Sequence, residues 1–465
     1  MSLMLNQDAQ MRLAMFFLSL VLLSFSLPAQ TAELGYQRLF TIHGSNTLGE
    51  ELMPNLVSAF LNDRGARGVR IESGAIENQR FVRGYWSNSG QAIEVLVAAH
   101  GSGTGYRHLA SGAGDIAASS RPITSAEHAL LSPFGDMRSS GHEHVVAIDG
   151  LSIIVHPSNP LQSLTVEQVA QIFSGDIQDW SQLGLPQGRI TRYARDDKSG
   201  TWDSFKSMVL SNRYRLANDA LRFESTAQLS DQVSRDRNGI GFVGLSSVRS
   251  AKAIAIADGD VTPLRANDFT VATEDYALSR RLYLYTKVVP RDSLLAEFLA
   301  FVLHDKGQAV VAQSGFVSQQ LQTSSPEYYA QRPERFQQVA EHAQRLSLNF
   351  RFREGSSQLD NKAMQDIERL AEFMQNNPQY RLLLVGFGDQ GRDPEWSQLL
   401  SRLRAMTVRR ELVRLGVYPR QSLGFGEYLP IASESHFAGR QKNRRVEVWL
   451  TPNTRWHEQA LSSLN

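Results

Sequence analysis

No cysteine occurs in the chain. Its absence excludes a disulfide framework, thiolate catalysis, a cysteine-type zinc site and a lipid-modified cysteine. Charge of one sign is not in excess either. The 48 Lys and Arg face 47 Asp and Glu for a net charge of +1, which excludes a generally basic nucleic-acid binder, so no nucleic acid is expected as a partner. Apolar runs of membrane-spanning length are missing too. The run at 13–27 follows Met11-Arg12 and leads into Pro28-Ala29-Gln30-Thr31-Ala32, and it falls short of the roughly 20 residues a span needs. Residues 1–32 therefore read as a secretory signal, with an uncleaved anchor as the alternative. Asp8 and the lack of positive charge over residues 1–10 point to Met11 as the true start.

Catalytic signatures are equally scarce. No Gly-Lys-Ser/Thr nucleotide loop is present, and Gly101-x-Gly103-x-Gly105 has the wrong spacing for a dinucleotide fingerprint. The serines have no convincing His and Asp partners in sequence. His142-x-His144 would place two rings on one strand face but lacks a third metal ligand. A chain that binds rather than catalyses is expected, with no cofactor and no metal.

What is there begins with 465 residues, too many for one ordinary core, at 42% hydrophobic and 20% charged composition. From 37 to 320, β-type runs (38–42, 93–98, 114–118, 144–147, 152–156, 240–243, 281–286) alternate with helical ones (165–173, 201–210, 226–235, 293–303). That alternation predicts an α/β fold with a largely parallel sheet. The stretch 78–90 reads as a hairpin or surface excursion with no assigned role. Residues 321–344 turn polar and Gln-rich, with Pro326 and Pro333, and mark a linker. A smaller α+β sandwich is predicted over 345–452, from strands at 346–352, 380–386, 423–425 and 445–450 and helices at 361–376 and 395–415. A tail occupies 453–465.

The chemistry concentrates in Arg195-Asp196-Asp197-Lys198-Ser199-Gly200-Thr201, followed by Trp202, Phe205, Met208 and Val209 at helical spacing. A helix start offers outward N–H groups and a positive dipole end, Gly200 permits close approach, and Arg195 adds a two-pronged guanidinium: an anion site. Gly44-Ser45-Asn46-Thr47 and Gly101-Ser102-Gly103-Thr104 share this grammar, and Ser119-Ser120-Arg121 adds hydroxyls and a second guanidinium. Charge-assisted hydrogen bonds are worth about 1.5–3 kcal/mol each. Five or so could exceed the roughly 8 kcal/mol of a micromolar complex.

In order and spacing these stretches resemble the periplasmic phosphate-binding proteins of ABC importers. The likeness also covers Ala118-Ser119-Ser120-Arg121, Ala147-Ile148-Asp149-Gly150, and Ile172-Phe173-Ser174-Gly175 with Trp180. It implies a two-lobed, hinge-closing fold with phosphate in the cleft, and assigns Thr47, Ser102, Ser120, Arg195, Ser199, Gly200 and Thr201 to the ligand. Ser45, Asn46, Gly103 and Arg121 complete the candidate set. Where well-known members carry an aspartate that accepts the proton of hydrogen phosphate, this chain has Ser120, so selectivity over sulfate is open.

The C-terminal stretch carries Gly386-Phe387-Gly388-Asp389, Arg404 on a helix, Gly424-Phe425-Gly426-Glu427 and Asn443-Arg444-Arg445-Val446-Glu447. This set resembles the OmpA-like peptidoglycan-binding domain, whose members hold the diaminopimelate of the stem peptide between a carboxylate and a guanidinium. Asp389 and Arg404 match those positions, and Asn443 and Arg444 match the motif beside them. Ser397 stands where Asn is usual, and Phe387-Gly388 replace a common His-Thr. The whole is expected to be an α/β two-lobed binding-protein fold followed by a small α+β OmpA-like sandwich. It would capture phosphate or a related oxyanion in the periplasm, associated with peptidoglycan at the outer membrane. An ABC importer or another envelope protein is a candidate partner. The alternative is a structural or surface-interaction envelope protein whose binding-protein fold no longer takes an anion.

Overall fold

Strand β1 (Gln37–Gly44) runs from an exposed start into complete burial at Ile42, His43 and Gly44. It lies within an 11-stranded sheet whose members are, in chain order, β1, β2 (Ala66–Ser73), β3 (Gln79–Trp86), β4 (Ala92–Ala99), β5 (Ile116–Ser119) and β6 (Glu143–Val155). After a short β7 (Ser163–Thr165) outside that sheet come β8 (Thr191–Arg195), β9 (Leu221–Phe223), β10 (Gly239–Gly244) and β11 (Lys252–Ala253). A second outside strand, β12 (Ala255–Ala257), pairs with β7 and precedes β13 (Ser279–Thr286). The computed structural model describes residues 35–197, 199–289, 291–324, 336–337, 341, 343–352, 358–389, 393–435 and 437–453. The expected signal peptide lies outside them, as does nearly all of the tail. Among the described residues, no helix is long and apolar enough to cross a membrane.

The spatial order is β2-β3-β4-β1-β5-β13-β6-β10-β8-β9, with β11 beside β6. Two expectations need correction. First, the sheet is mixed: β1 is parallel to β4 and β5, and β8 to β9 and β10, but β6 and β13 run antiparallel to their neighbours. Second, 144–147 and 152–156 form one strand. The gap between them is continuous strand, because Ile148, Asp149 and Gly150 pair with Arg281, Arg280 and Ser279 of β13, and Gly150 leaves room for Val271, which a Cβ there would approach to 2.7 Å. The first half of β6 pairs with β13 and its second half with β10, so this 13-residue strand carries the chain between two lobes.

Each lobe has its own core. Phe40, Leu56, Phe60, Val97, Leu282 and Phe298 pack in one. Phe173, Phe205, Phe242, Ile254 and Tyr276 pack in the other. Residues 66–86 do form a hairpin at the sheet edge, with its turn at 74–78, earlier than the sequence suggests.

Among the described residues the C-terminal sheet has five strands, β14 (Thr323–Ser324), β15 (Gln344–Arg351), β16 (Tyr380–Gly386), β17 (Gln421–Gly424) and β18 (Arg445–Pro452), in the order β14-β15-β18-β16-β17. Two helices, Asn361–Asn376 and Pro394–Arg414, cover one face through Ile367, Leu370, Ala405, Val408 and Leu412. Within the polar stretch, β14 already belongs to this sheet, and Phe336 is buried against Phe387, Phe425 and Trp449.

Candidate anion and peptidoglycan sites

The helix starts singled out by sequence follow strand ends, where α/β sheets place their ligands. Helix α1 (Asn46–Gly49) follows β1, α2 (Ser102–Ser111) follows β4, and α3 (Gly200–Phe205) follows β8. The first two rise from one lobe and the third from the other. Thr47 and Gly200 meet across the cleft: Thr47 Oγ1 donates to the Gly200 carbonyl at 3.0 Å. A Cβ on Gly200 would fall 2.3 Å from Thr47 Cα, so only glycine permits this approach.

Ser199 caps α3, its Oγ accepting from the N–H groups of Thr201 and Trp202 at 3.1 and 3.4 Å. Arg195, at the end of β8, is 4% exposed. Its Nε donates to the Phe223 carbonyl at 3.2 Å, Nη1 to Thr226 Oγ1, and Nη2 lies 3.7 Å from Glu50 Oε1. The Glu50 carboxyl, half open to solvent, is pushed up by desolvation in the cleft, against the Arg195 charge and a hydrogen bond from the Gly200 backbone.

On the other lobe, the Ser120 N–H donates to Ser102 Oγ at 3.2 Å, and the two hydroxyls lie 3.4 Å apart. Asn46 Oδ1 accepts from the Gly101 N–H at 3.1 Å. Ser45 Oγ is buried with no hydrogen-bond partner, an orphaned hydroxyl inside the constellation. Gly103, in the first turn of α2, has only the Arg107 and Glu127 side chains near the space a Cβ would take. Arg121 is committed elsewhere: its guanidinium pairs bidentately with Glu127 at 2.8 and 2.7 Å and lies over the Tyr106 ring.

Sequence reasoning missed Arg280. Its Nε lies 3.1 Å from Asp149 Oδ2, and its Nη2 donates to Thr47 Oγ1 at 2.8 Å and to Ser204 Oγ. Ser204 in turn donates to Asp149 and to the Gly200 carbonyl. Burial pulls this guanidinium below the ordinary arginine value, against Asp149. Arg280 thus ties both lobes' helix starts to the crossing strands. Asp149 was visible as part of a motif, but nothing in sequence separates Arg280 from Arg281 beside it.

In the C-terminal domain, Asp389 and Arg444 form a bidentate pair at 2.8 and 2.7 Å. Burial pushes the Asp389 carboxyl up, but the hydrogen bonds from Arg444 and the charge of Arg404 outweigh it, leaving it below the usual carboxylate range. A Cβ on Gly388 would lie 3.4 Å from Arg404 Nη1. The helix Pro394–Arg414 can bring Arg404 this close because a Cβ on Gly386 would strike the Ser401 carbonyl at 2.0 Å. Ser397 is buried in the first turns of that helix. Asn443 plays a different part. Its Oδ1 accepts from the N–H groups of Ile431 and Ala432, and its Nδ2 donates to the Ala432 carbonyl and to Glu434. It ties down the 431–434 loop.

A model of the PBP superfamily domain matches residues 87–306, and a model of the OmpA family matches 351–444. The chain is 30% identical over 243 residues to the phosphate-binding protein PstS of Pseudomonas aeruginosa, a match covering 48% of this chain and 74% of that protein. It is 26% identical over 230 residues to PstS of Borreliella burgdorferi, covering 48% of this chain and 79% of that one. Among solved structures, an ABC-type phosphate transport receptor from Vibrio cholerae aligns with a TM-score of 0.46 at 26% identity, over 60% of this chain and 99% of that one. By its match to three quarters of the Pseudomonas protein, the chain belongs to the PstS family of phosphate-binding proteins within the PBP superfamily, and it continues into an OmpA family domain.

Proposed function

We propose that the chain is a periplasmic receptor that captures phosphate between its lobes and is held to peptidoglycan by its C-terminal domain. The ligand set is Thr47, Ser102, Ser120, Arg195, Ser199, Gly200 and Thr201, with Ser45 and Asn46 beside them. The observation that carries this reading is the meeting of Thr47 and Gly200 from opposite lobes next to a buried Arg195. Three hydroxyl-bearing helix starts and a guanidinium there suit a tetrahedral oxyanion. Binding is closure around the anion, its cost offset by charged hydrogen bonds, and no bond is made or broken. The module spans 37–320 and is joined through 321–344 to the wall-binding domain of 345–452. There Asp389 and Arg404, with Arg444, suit the zwitterionic end of a diaminopimelate stem. An ABC importer is the natural recipient of the anion.

Titration calorimetry of the phosphate-stripped protein with phosphate, then sulfate, tests the first half. Phosphate heat that Arg195→Ala abolishes, with binding to isolated sacculi retained, is expected. Asp389→Ala combined with Arg404→Ala should do the reverse. No heat and no thermal stabilisation with either anion would favour the wall-bound structural protein.

A further inference from the structure

The helix Pro394–Arg414 is apolar on two opposite faces. Ser397, Ser401, Ala405, Val408 and Leu412 are buried, the last three within the C-terminal core. On the far side Trp396, Leu399, Leu403 and Met406 stand between 45 and 56% exposed. With 3.6 residues per turn these four share an arc of about 80°, diametrically opposite the buried set. Single exposed apolar side chains are ordinary on a protein surface, but a row of large ones along three turns marks a contact face. Their spacings of three, four and three are those of the a and d positions in a seam between paired helices.

The charges along the helix select what covers the face. Arg410 continues the seam four residues after Met406, while Asp393, which caps the helix, and Glu395 flank its beginning. Glu411, the other acid of the helix, already lies against Arg410 and Arg414 of its own chain, in exposed pairs of little worth. A parallel second copy would set Arg410 against Arg410 inside the seam. An antiparallel copy sets Trp396 against Met406 and Leu399 against Leu403, each contact made twice about a two-fold axis. The same register brings Arg410 of each copy beside Asp393 and Glu395 of the other. Arg402 is then the one residue left near its own twin, at the solvent edge of the seam.

We propose that two copies of the chain pair through this face, antiparallel along Pro394–Arg414. Arg404 lies about a third of a turn around the same helix, outside the seam. The pair therefore offers the wall two Asp389–Arg404 sites, and engaging the first raises the effective concentration of the second. This double anchoring rests on the peptidoglycan reading above, whereas the pairing does not.

Sedimentation of the full chain from about 1 to 500 µM tests the pairing. The seam is small beside the usual 20–30 residues a side, so a dissociation constant of roughly 10–100 µM is expected. Leu403→Lys, at an exposed position, should remove the dimer and leave the melting temperature within about two degrees. Because the chain has no cysteine, Arg414→Cys supplies a single nitroxide site per copy. The antiparallel register holds the two backbones there roughly 40 Å apart, a parallel one roughly 10 Å. A monomer at every concentration, a dimer that Leu403→Lys leaves intact, or the short distance would each overturn the proposal. A monomeric chain that binds vesicles of anionic phospholipid until Leu403→Lys is introduced would give the face to a membrane instead. One that dimerises only as Trp456→Glu would give it to the tail. For the wall, Leu403→Lys should bind isolated sacculi at least about tenfold more weakly than wild type. Equal binding would overturn the double anchoring and leave the dimer. No sacculus binding by wild type would overturn the peptidoglycan reading and leave the dimer.

Discussion

Gly200 is the residue at which the two lobes meet most closely on the proposed anion site. Its carbonyl accepts from Thr47 Oγ1 and from Ser204 Oγ, and its α-carbon leaves no space for a methyl. The clash of Gly200→Ala is with Thr47 and Asn46 of the opposite lobe. Moving the lobes apart relieves it without unfolding either core. The variant is therefore expected to keep its melting temperature within a few degrees while losing at least about 100-fold in phosphate affinity, roughly 3 kcal/mol of lost contacts. Small-angle scattering in saturating phosphate should show it more extended than wild type. A variant that closes normally would remove Gly200 from the site. The same residue marks the reach of sequence reading. Ser199-Gly200-Thr201 is legible as a helix start because capping chemistry is local. Its partner Thr47, 153 positions away, is legible only as a second helix start.

At the scale of elements, local signals decide what can be read. The helices Asn361–Asn376 and Pro394–Arg414 are visible because each begins at an aspartate that caps it, Asp360 and Asp393, and the first has a clear apolar stripe. β6 is misread as two runs because 148–151 falls between them, whereas the ladders to β13 and β10 carry the strand through that stretch. Tertiary context overrides a local propensity there. Arg280 is invisible for the same reason: its role depends on which strand β13 joins. The loop at 431–434 gives the opposite lesson. Asn443 matches a motif beside the proposed peptidoglycan site, yet its amide serves four backbone and side-chain partners of this loop. Asn443→Ala leaves the buried Ala432 N–H without an acceptor, at a cost of about 1–3 kcal/mol per orphaned group. Urea denaturation should show that loss, and sacculus binding should fall only as far as the Asp389–Arg444 pair next to it is displaced. Unchanged stability with abolished sacculus binding would make Asn443 a ligand instead.

Over the whole molecule, the two modules are not beads on a string. Arg345 Nη2 lies 2.7 Å from Asp275 Oδ2, and Asn349 Nδ2 donates to Asp275 Oδ1 at 2.8 Å. Arg281 pairs with Asp360 at 2.7 Å, Asn361 donates to Glu143, and Arg369 reaches Gln319. These contacts fall on both sides of the crossing strands, so the C-terminal domain touches each lobe. Asp275 is the most buried of the acidic partners. Burial pushes its carboxyl up, but Arg345, Arg445 and Arg351 outweigh this and hold it below its ordinary value of 3.8. A depressed carboxyl stabilises the folded state above its unfolded value, and that contribution disappears as pH falls through the folded one. Asp275→Asn keeps the volume and removes the charge, leaving Arg345 with Glu447 at 3.3 Å. The expected cost is about 3 kcal/mol at pH 7, the lower end for a broken buried pair because one acidic partner remains. The gap to wild type should begin to narrow below about pH 4, where the carboxyl of the unfolded chain protonates, and go on narrowing as pH falls through the lower value of the folded state. Calorimetric unfolding at pH 7 should resolve one transition in wild type and two in the variant, the C-terminal domain separating from the lobes. A single transition at an unchanged temperature would mean that the modules are joined by their linker alone.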